Sequence, residues 1–159
     1  MNQPSLLQQE FSALLEGETY PLTAFANAAA LLFDRLEQVN WAGFYFVRGD
    51  VLQLGPFQGK PACTRIGRGK GVCGAAWQTG RTVRVEDVHA FAGHIACDSA
   101  SRSELVIPLR RGRTVYGVLD LDSPVLSRFT AADQAELEAC AAALDRWAET
   151  WGIPEGWEE

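Results

Sequence analysis

Two runs of strand-forming residues, ELVIPLR at 104–110 and TVYGVLDLDS at 114–123, are separated by three residues centred on Gly112. Parallel strands need a crossover of a dozen or more residues, so a gap this short admits only an antiparallel hairpin. A second pair repeats the arrangement, with WAGFYFVR at 41–48 and VLQLGPF at 51–57 on either side of Gly49-Asp50. Helical spacing brackets these strands. Leu7, Phe11, Leu14 and Leu15 recur within 5–16, where Ser5 and Gln8 have the form of a capping box. Leu22, Phe25, Ala29, Leu32 and Leu36 form a buried stripe on a helix opened by Pro21 and ending near Asn40. Leu137, Cys140, Ala141, Leu144, Trp147 and Trp151 form a third stripe behind a Thr130/Asp133 cap. GVCGAAWQTG at 71–80 reads as a short helix and RTVRVED as a short strand. Hairpins in place of regular βα alternation indicate an α+β domain with a mainly antiparallel sheet flanked by helices.

A chain of 159 residues with 47% hydrophobic content can bury one core, so a single domain spanning 1–159 is expected. The formal charge of -6 argues against a nucleic-acid or anionic-membrane surface, which clusters of Lys and Arg would provide. The basic run Arg110-Arg111-Gly112-Arg113 reads as a solvated turn. The opening MNQPSLLQQEF lacks a basic segment followed by an apolar one, and no run approaches the ~18 apolar residues of a membrane span. The expected location is cytoplasmic.

That location bears on Cys63, Cys73, Cys97 and Cys140, because reduced compartments leave little place for structural disulfides. Cys140 falls on a helix stripe and reads as a core thiol. The other three sit outside the regular core pattern: Cys63 in the glycine- and proline-rich GKPACTRIGRGKG, Cys73 at the start of the short helix, and Cys97 in the loop HIACDSASRSE. Lys60, Arg65, Arg68 and Lys70 flank the first two and would favour thiolates if they fold nearby. Zinc fits the spacing poorly, since no C-x-x-C occurs and His89 and His94 lack short paired spacing, so no metal is expected. Exchange between distant thiols asks less of the spacing.

Strand alternation supplies a second chemical element. Trp41, Gly43 and Tyr45 share one face of their strand, and Tyr116, Val118, Asp120 and Asp122 share one face of theirs. Two like charges on one face of an apolar strand repel, and burial would cost them several kcal/mol, about the effective penalty for a desolvated ion. Either the strand end opens to solvent or a cationic ligand group completes a site. Hairpin pairing would return Glu104 to Asp120 or Asp122, and three acids around one pocket suit a primary ammonium ion. Their repulsion would hold at least one carboxyl protonated as a proton donor. Trp41 and Tyr45 could wall a small apolar or sulfonium-like group. Ammonium site, aromatic wall and reactive thiol together point to a small amino acid with an oxidised side chain.

The segments NWAGFYFV, LGPFQGKPAC, GKGVCG, HIACDSASRSE and GVLDLDSP, in this order, resemble the free methionine-(R)-sulfoxide reductases, which are single GAF-domain enzymes. The resemblance runs from about residue 21 to 148 and implies a GAF-like, six-stranded sheet. It implies Cys97 as the catalytic thiol, Cys63 as the resolving thiol and Cys73 as a further recycling thiol. It also implies a substrate pocket of Trp41, Tyr45, Glu104, Asp120 and Asp122, with Glu104 or Asp122 supplying a proton. Free methionine sulfoxide is the implied substrate, thioredoxin or a similar dithiol the implied reductant, and a homodimer the implied assembly, with no cofactor. The alternative is a non-catalytic GAF sensor of a small molecule. Against it, Cys97 is followed by Asp98 where bilin-binding relatives carry a histidine.

Overall fold

A computed structural model describes residues 3–95 and 99–151. Four helices, α1 (Leu6–Leu15), α2 (Pro21–Arg35), α3 (Gly71–Thr79) and α4 (Ala131–Trp151), surround six strands. The strands are β1 (Trp41–Arg48), β2 (Val51–Gly59), β3 (Arg65–Gly67), β4 (Val83–Val85), β5 (Ser103–Arg111) and β6 (Thr114–Ser123). They form one sheet in the order β3-β2-β1-β6-β5-β4, with every neighbouring pair antiparallel. The architecture is the expected α+β one, a six-stranded antiparallel sheet flanked by helices.

Alternation divides the sheet into two chemically different faces. Ala42, Phe44 and Phe46 of β1, Leu105, Ile107 and Leu109 of β5, and Leu119 and Leu121 of β6 pack under α1, α2 and α4. Phe25 of α2 seals this core with edge contacts to Phe44 and Phe46 at centroid distances of 5.0 and 4.8 Å. Trp41, Tyr45, Val106 and Val118 point the other way, under α3 and its flanking loops. α1 carries the expected Ser5/Gln8 capping box.

Several local expectations give way to the structure. α2 ends at Arg35 rather than near Asn40, because Leu36 is extended (φ -90°, ψ 117°) and Gln38 turns the chain with φ 57°. Its buried stripe runs through Ala24, Phe25, Ala28, Ala29 and Leu32, which leaves Leu22 exposed. β3 lies inside the glycine-rich stretch read as a loop; three residues between glycines are too few to show a period. Tyr116 does not share the face of Val118 and Asp120. The β5–β6 register slips between Leu109 and Arg110, and Tyr116 turns into the helix-side core to donate a 3.0 Å hydrogen bond to Asp145 of α4.

Two predictions follow from this packing. A Cβ at Gly43 would lie 2.3 Å from Phe57 Cβ and 2.9 Å from Phe57 Cα, with Trp41 at 2.8 Å, so Gly43→Ala should destabilise the fold by about 1–3 kcal/mol in urea unfolding. Burial raises the Asp145 carboxyl from 3.8 to about 6, although the Tyr116 hydrogen bond and Arg110 pull it down. The folded protein therefore holds this proton to a higher pH than the unfolded chain, and stability falls as pH rises from 3.8 through about 6. Asp145→Asn removes that fall, so across this interval the difference in Tm should move in the variant's favour.

Candidate active site

The pocket is assembled on the three central strands. Across β1, β6 and β5, Trp41 stands opposite Asp122, which stands opposite Glu104; one step further, Gly43 stands opposite Asp120 and Asp120 opposite Val106. The hairpin read from the sequence thus brings Glu104 beside both aspartates on one sheet face. Gly43 contributes no side chain, and the place its Cβ would take is filled by Phe57 and the Trp41 ring.

α3 roofs this face. Its first turn brings Lys70, Gly71, Val72 and Cys73 to the pocket, opposite Trp41, Tyr45 and the three acids. Gly71 has φ +59°, a left-handed conformation that lets the chain enter the helix directly over the pocket. Lys70, at the N-cap, provides no side-chain hydrogen bond, and the first bond of the helix runs from Gly74 N–H to the Lys70 carbonyl. The N–H groups of Gly71, Val72 and Cys73 therefore have no intrahelical acceptor. His94, Ile95 and Ser101 close the side of the pocket, and Pro61, Ala62 and Ile66 complete it.

Burial governs the electrostatics. Glu104 and Asp120 are each 6% exposed, and Glu104 faces His94 across 3.8 Å from Oε1 to Nε2. Burial first, and the charges of Asp120 and Asp122 second, push the Glu104 carboxyl well above the usual carboxylate range. Burial also raises Asp120, opposed by hydrogen bonding with Glu104 and Cys73. The Oδ1 atom of Asp120 is buried without a hydrogen-bond partner among the described residues. The cluster accordingly keeps protons that an exposed carboxylate would release near neutrality. His94 is shifted the opposite way, lowered by burial and then by His89, so the neutral imidazole is favoured beside Glu104.

The thiols depart from the sequence reading in one respect. Cys73 lies inside the core and not outside it, at 4% exposure among Val72, Ala76 and Trp77. Its surroundings are acidic: burial, Asp120, Glu104 and Asp122 in that order push its thiol upward, the reverse of the thiolate that nearby basic residues would favour. Arg68 instead lies over the Trp77 ring, 5.4 Å from its centroid. Cys140 is a buried free thiol on the far core, as its helix stripe indicated. Cys63 is disulfide-bonded. Cys97 lies outside the described residues.

The aromatic wall also anchors the Cys63 loop. Trp41 stacks on Tyr45 at 5.9 Å and on Phe57 at 5.2 Å. Its indole Nε1 donates 3.1 Å to the Lys60 carbonyl, and the Tyr45 hydroxyl donates 2.9 Å to the Cys63 carbonyl.

Comparison with known proteins places this geometry. The GAF domain family model matches residues 12–145. Free methionine-R-sulfoxide reductase of Escherichia coli is 52% identical over 140 residues, covering 88% of this chain and 85% of that protein. The Saccharomyces cerevisiae protein of the same description is 37% identical over 158 residues, covering 92% and 87%. The X-ray structure of the Neisseria meningitidis free methionine-R-sulfoxide reductase in complex with its substrate superposes with a TM-score of 0.88 at 42% identity, covering 92% of this chain and 90% of that one. The chain belongs to the free methionine-R-sulfoxide reductases. Like the members compared here, it carries the GAF fold over nearly its whole described length.

Part of the pocket wall is not legible in the sequence. His94 reads there as a poor zinc ligand and Lys70 as a flanking charge, yet both line the pocket. The signal for the first-turn amides of α3 is GKGVCG, in which a glycine on each side of Lys70 leaves the helix entry free of bulk.

The tie between wall and loop is directly measurable. Tyr45→Phe deletes one hydrogen bond with little change of shape, and amide exchange across residues 60–66 should quicken about 2- to 10-fold, the equivalent of about 0.5–1.5 kcal/mol. Mass spectrometry of peptides spanning that loop reads the effect, and peptides from β5 serve as the internal control.

Proposed function

We propose that the protein reduces free L-methionine (R)-sulfoxide to methionine, using Cys97 as the nucleophile in the pocket of Trp41, Tyr45, Glu104, Asp120 and Asp122. The observation that carries this reading is the set of buried acids on one sheet face, Glu104 and Asp120 fully enclosed and Asp122 at their side, beside an aromatic wall and beneath a helix entry. A zwitterionic amino acid matches it end to end. Its ammonium group offsets the repulsion among the carboxyls, and its carboxylate finds the unpaired amides of Gly71, Val72 and Cys73 with the charge of Lys70 beside them. The side chain lies along Trp41 and Tyr45. Relatives whose names and substrate complexes carry this activity agree with the assignment.

The chemistry balances in three steps. Cys97 thiolate attacks the sulfoxide sulfur while Glu104 or Asp122, directly or through a water, donates a proton to the sulfoxide oxygen; methionine leaves and the oxygen passes to Cys97 as a sulfenic acid. The Cys63 thiol then attacks that sulfur, forming a disulfide and releasing water. Thioredoxin or a similar dithiol reduces the disulfide and is itself oxidised, returning both thiols. Three features support these roles: Cys63 is disulfide-bonded, its carbonyl is tethered to the pocket wall, and Cys73 is held as a buried protonated thiol. Cys73 accordingly enters only as a secondary recycling thiol. A homodimer in the reducing cytoplasm is the setting we propose, and among the described residues no helix is long and apolar enough to cross a membrane.

The test is NADPH oxidation with thioredoxin, thioredoxin reductase and the separate epimers of free methionine sulfoxide. The (R) epimer should turn over and Cys97→Ser should not. Glu104→Gln should lower kcat/KM about 100-fold or more, the usual scale of a lost general acid. Turnover by Cys97→Ser at the parent rate ends the assignment, and tight binding without turnover by the parent would return the protein to the GAF sensors.

A further inference from the structure

The donor atoms of Cys73, Glu104 and Asp120 all lie within 4.8 Å of one another, and all three side chains are buried. They come from α3, β5 and β6, so helix-on-sheet packing and hairpin register hold them together. A further, independent observation points to a cation. The Oδ1 atom of Asp120, a residue only 6% exposed, is buried without a hydrogen-bond partner on the strand face that looks into the pocket.

We propose that this cluster is an inhibitory site for a thiophilic divalent cation, Zn2+ foremost, which binds in the substrate pocket and excludes the substrate's ammonium group. The metal half stands on the donor set alone; the word inhibitory rests on the function proposed above. One sulfur and two carboxylates are donors that zinc and cadmium take, whereas magnesium and calcium favour all-oxygen shells of six or more ligands. Cys73 and whichever of Glu104 and Asp120 carry a proton release it to solvent as they bind the metal, so cadmium binding should strengthen as pH rises, and no oxidant or reductant is required. The ion's charge cancels the repulsion that the substrate ammonium would otherwise relieve. Positions 73, 104 and 120 have no paired spacing, so the cluster does not read as a zinc motif in the sequence.

Cadmium is the probe, because its bond to a thiolate absorbs in the ultraviolet. Full-length Cys63→Ser/Cys97→Ser protein retains two cysteines, Cys73 and Cys140, and Cys140 belongs to the core on the other face of the sheet. One equivalent of Cd2+ should produce the thiolate-to-cadmium band, Zn2+ should displace it, and free methionine sulfoxide should raise the apparent Kd in proportion to its concentration. Cys73→Ser should abolish the band, and Glu104→Gln and Asp120→Asn should each weaken cadmium binding by about 10-fold or more. No band at stoichiometric cadmium, or a band that survives Cys73→Ser, overturns the site. Should Cys73→Ser fail to fold by circular dichroism, the two carboxamide variants decide, and unchanged affinity in both overturns it. A band indifferent to methionine sulfoxide sustains the metal site and overturns its competitive action together with the pocket assignment. Normal turnover by the parent with no band in the variant overturns the metal site and leaves the reductase reading standing.

Discussion

Three acids on neighbouring strands of one sheet face are the constraint to which the rest of the pocket answers. The pairing of β1, β6 and β5 makes their proximity unavoidable: once Trp41, Asp122 and Glu104 are cross-strand partners, Asp120 is one pleat away. An ionised carboxylate removed from water costs several kcal/mol, so the apo protein keeps protons on this cluster. A protonated acid facing a pocket is a proton donor in waiting, and a group of them is a site whose empty state is less satisfied than its filled one. In the function proposed above, the same burial that strains the fold locally prepares both binding and proton transfer.

The opposite sheet face supplies the stability that such a site consumes. Phe25, Phe44, Phe46, Leu105, Leu119, Leu121, Leu137 and Leu144 are buried together between the sheet and its three helices. A large aliphatic or aromatic side chain contributes about 1.5–3 kcal/mol when fully buried, so a few such residues offset the desolvation of the acids. The division follows from alternation beyond the register slip at Tyr116: each central strand presents one row to the helix core and one row to the site. Substitutions on odd and even positions of β6 from Gly117 onward should accordingly be felt in different properties, packing on one side and the pocket on the other.

What the sequence disclosed follows the same line. Periodicity located the hairpins, and hairpin pairing with alternation brought Trp41, Tyr45, Glu104, Asp120 and Asp122 to one face, because both rules act through the backbone and need no knowledge of the third dimension. They failed where one residue broke the period. Tyr116 sits at a register slip and so changed faces, and β3 was too short to have a period. Cys73 was misplaced for a different reason. Its position near the start of a glycine-flanked helix looked like a loop setting, but α3 is pressed onto the sheet, and the depth of that contact depends on residues far away in the chain. His94 was invisible as a pocket group for the same cause, since only the fold of the segment before β5 carries it to Glu104. Long-range packing is what local pattern does not encode.

The two wall residues join the halves of the chemistry. Trp41 and Tyr45 flank the acids by their rings and hold the loop of Cys63 by their polar atoms, through bonds to the carbonyls of Lys60 and Cys63. Both acceptors are backbone groups, so the tether does not depend on which side chains the loop carries, and the loop can exchange residues without losing its position. An occupant that shifts either ring must also shift the loop, because indole and phenol are rigid levers with their donors at the far end. Conversely, a loop drawn toward or away from the pocket by a sulfur–sulfur bond pulls on the same two rings. The rings are themselves held by their neighbours: Trp41 stacks on Tyr45 and Phe57, and the opposite face of β1 packs Phe44 and Phe46 against Phe25, so a displacement of the loop is resisted at both of its tethers.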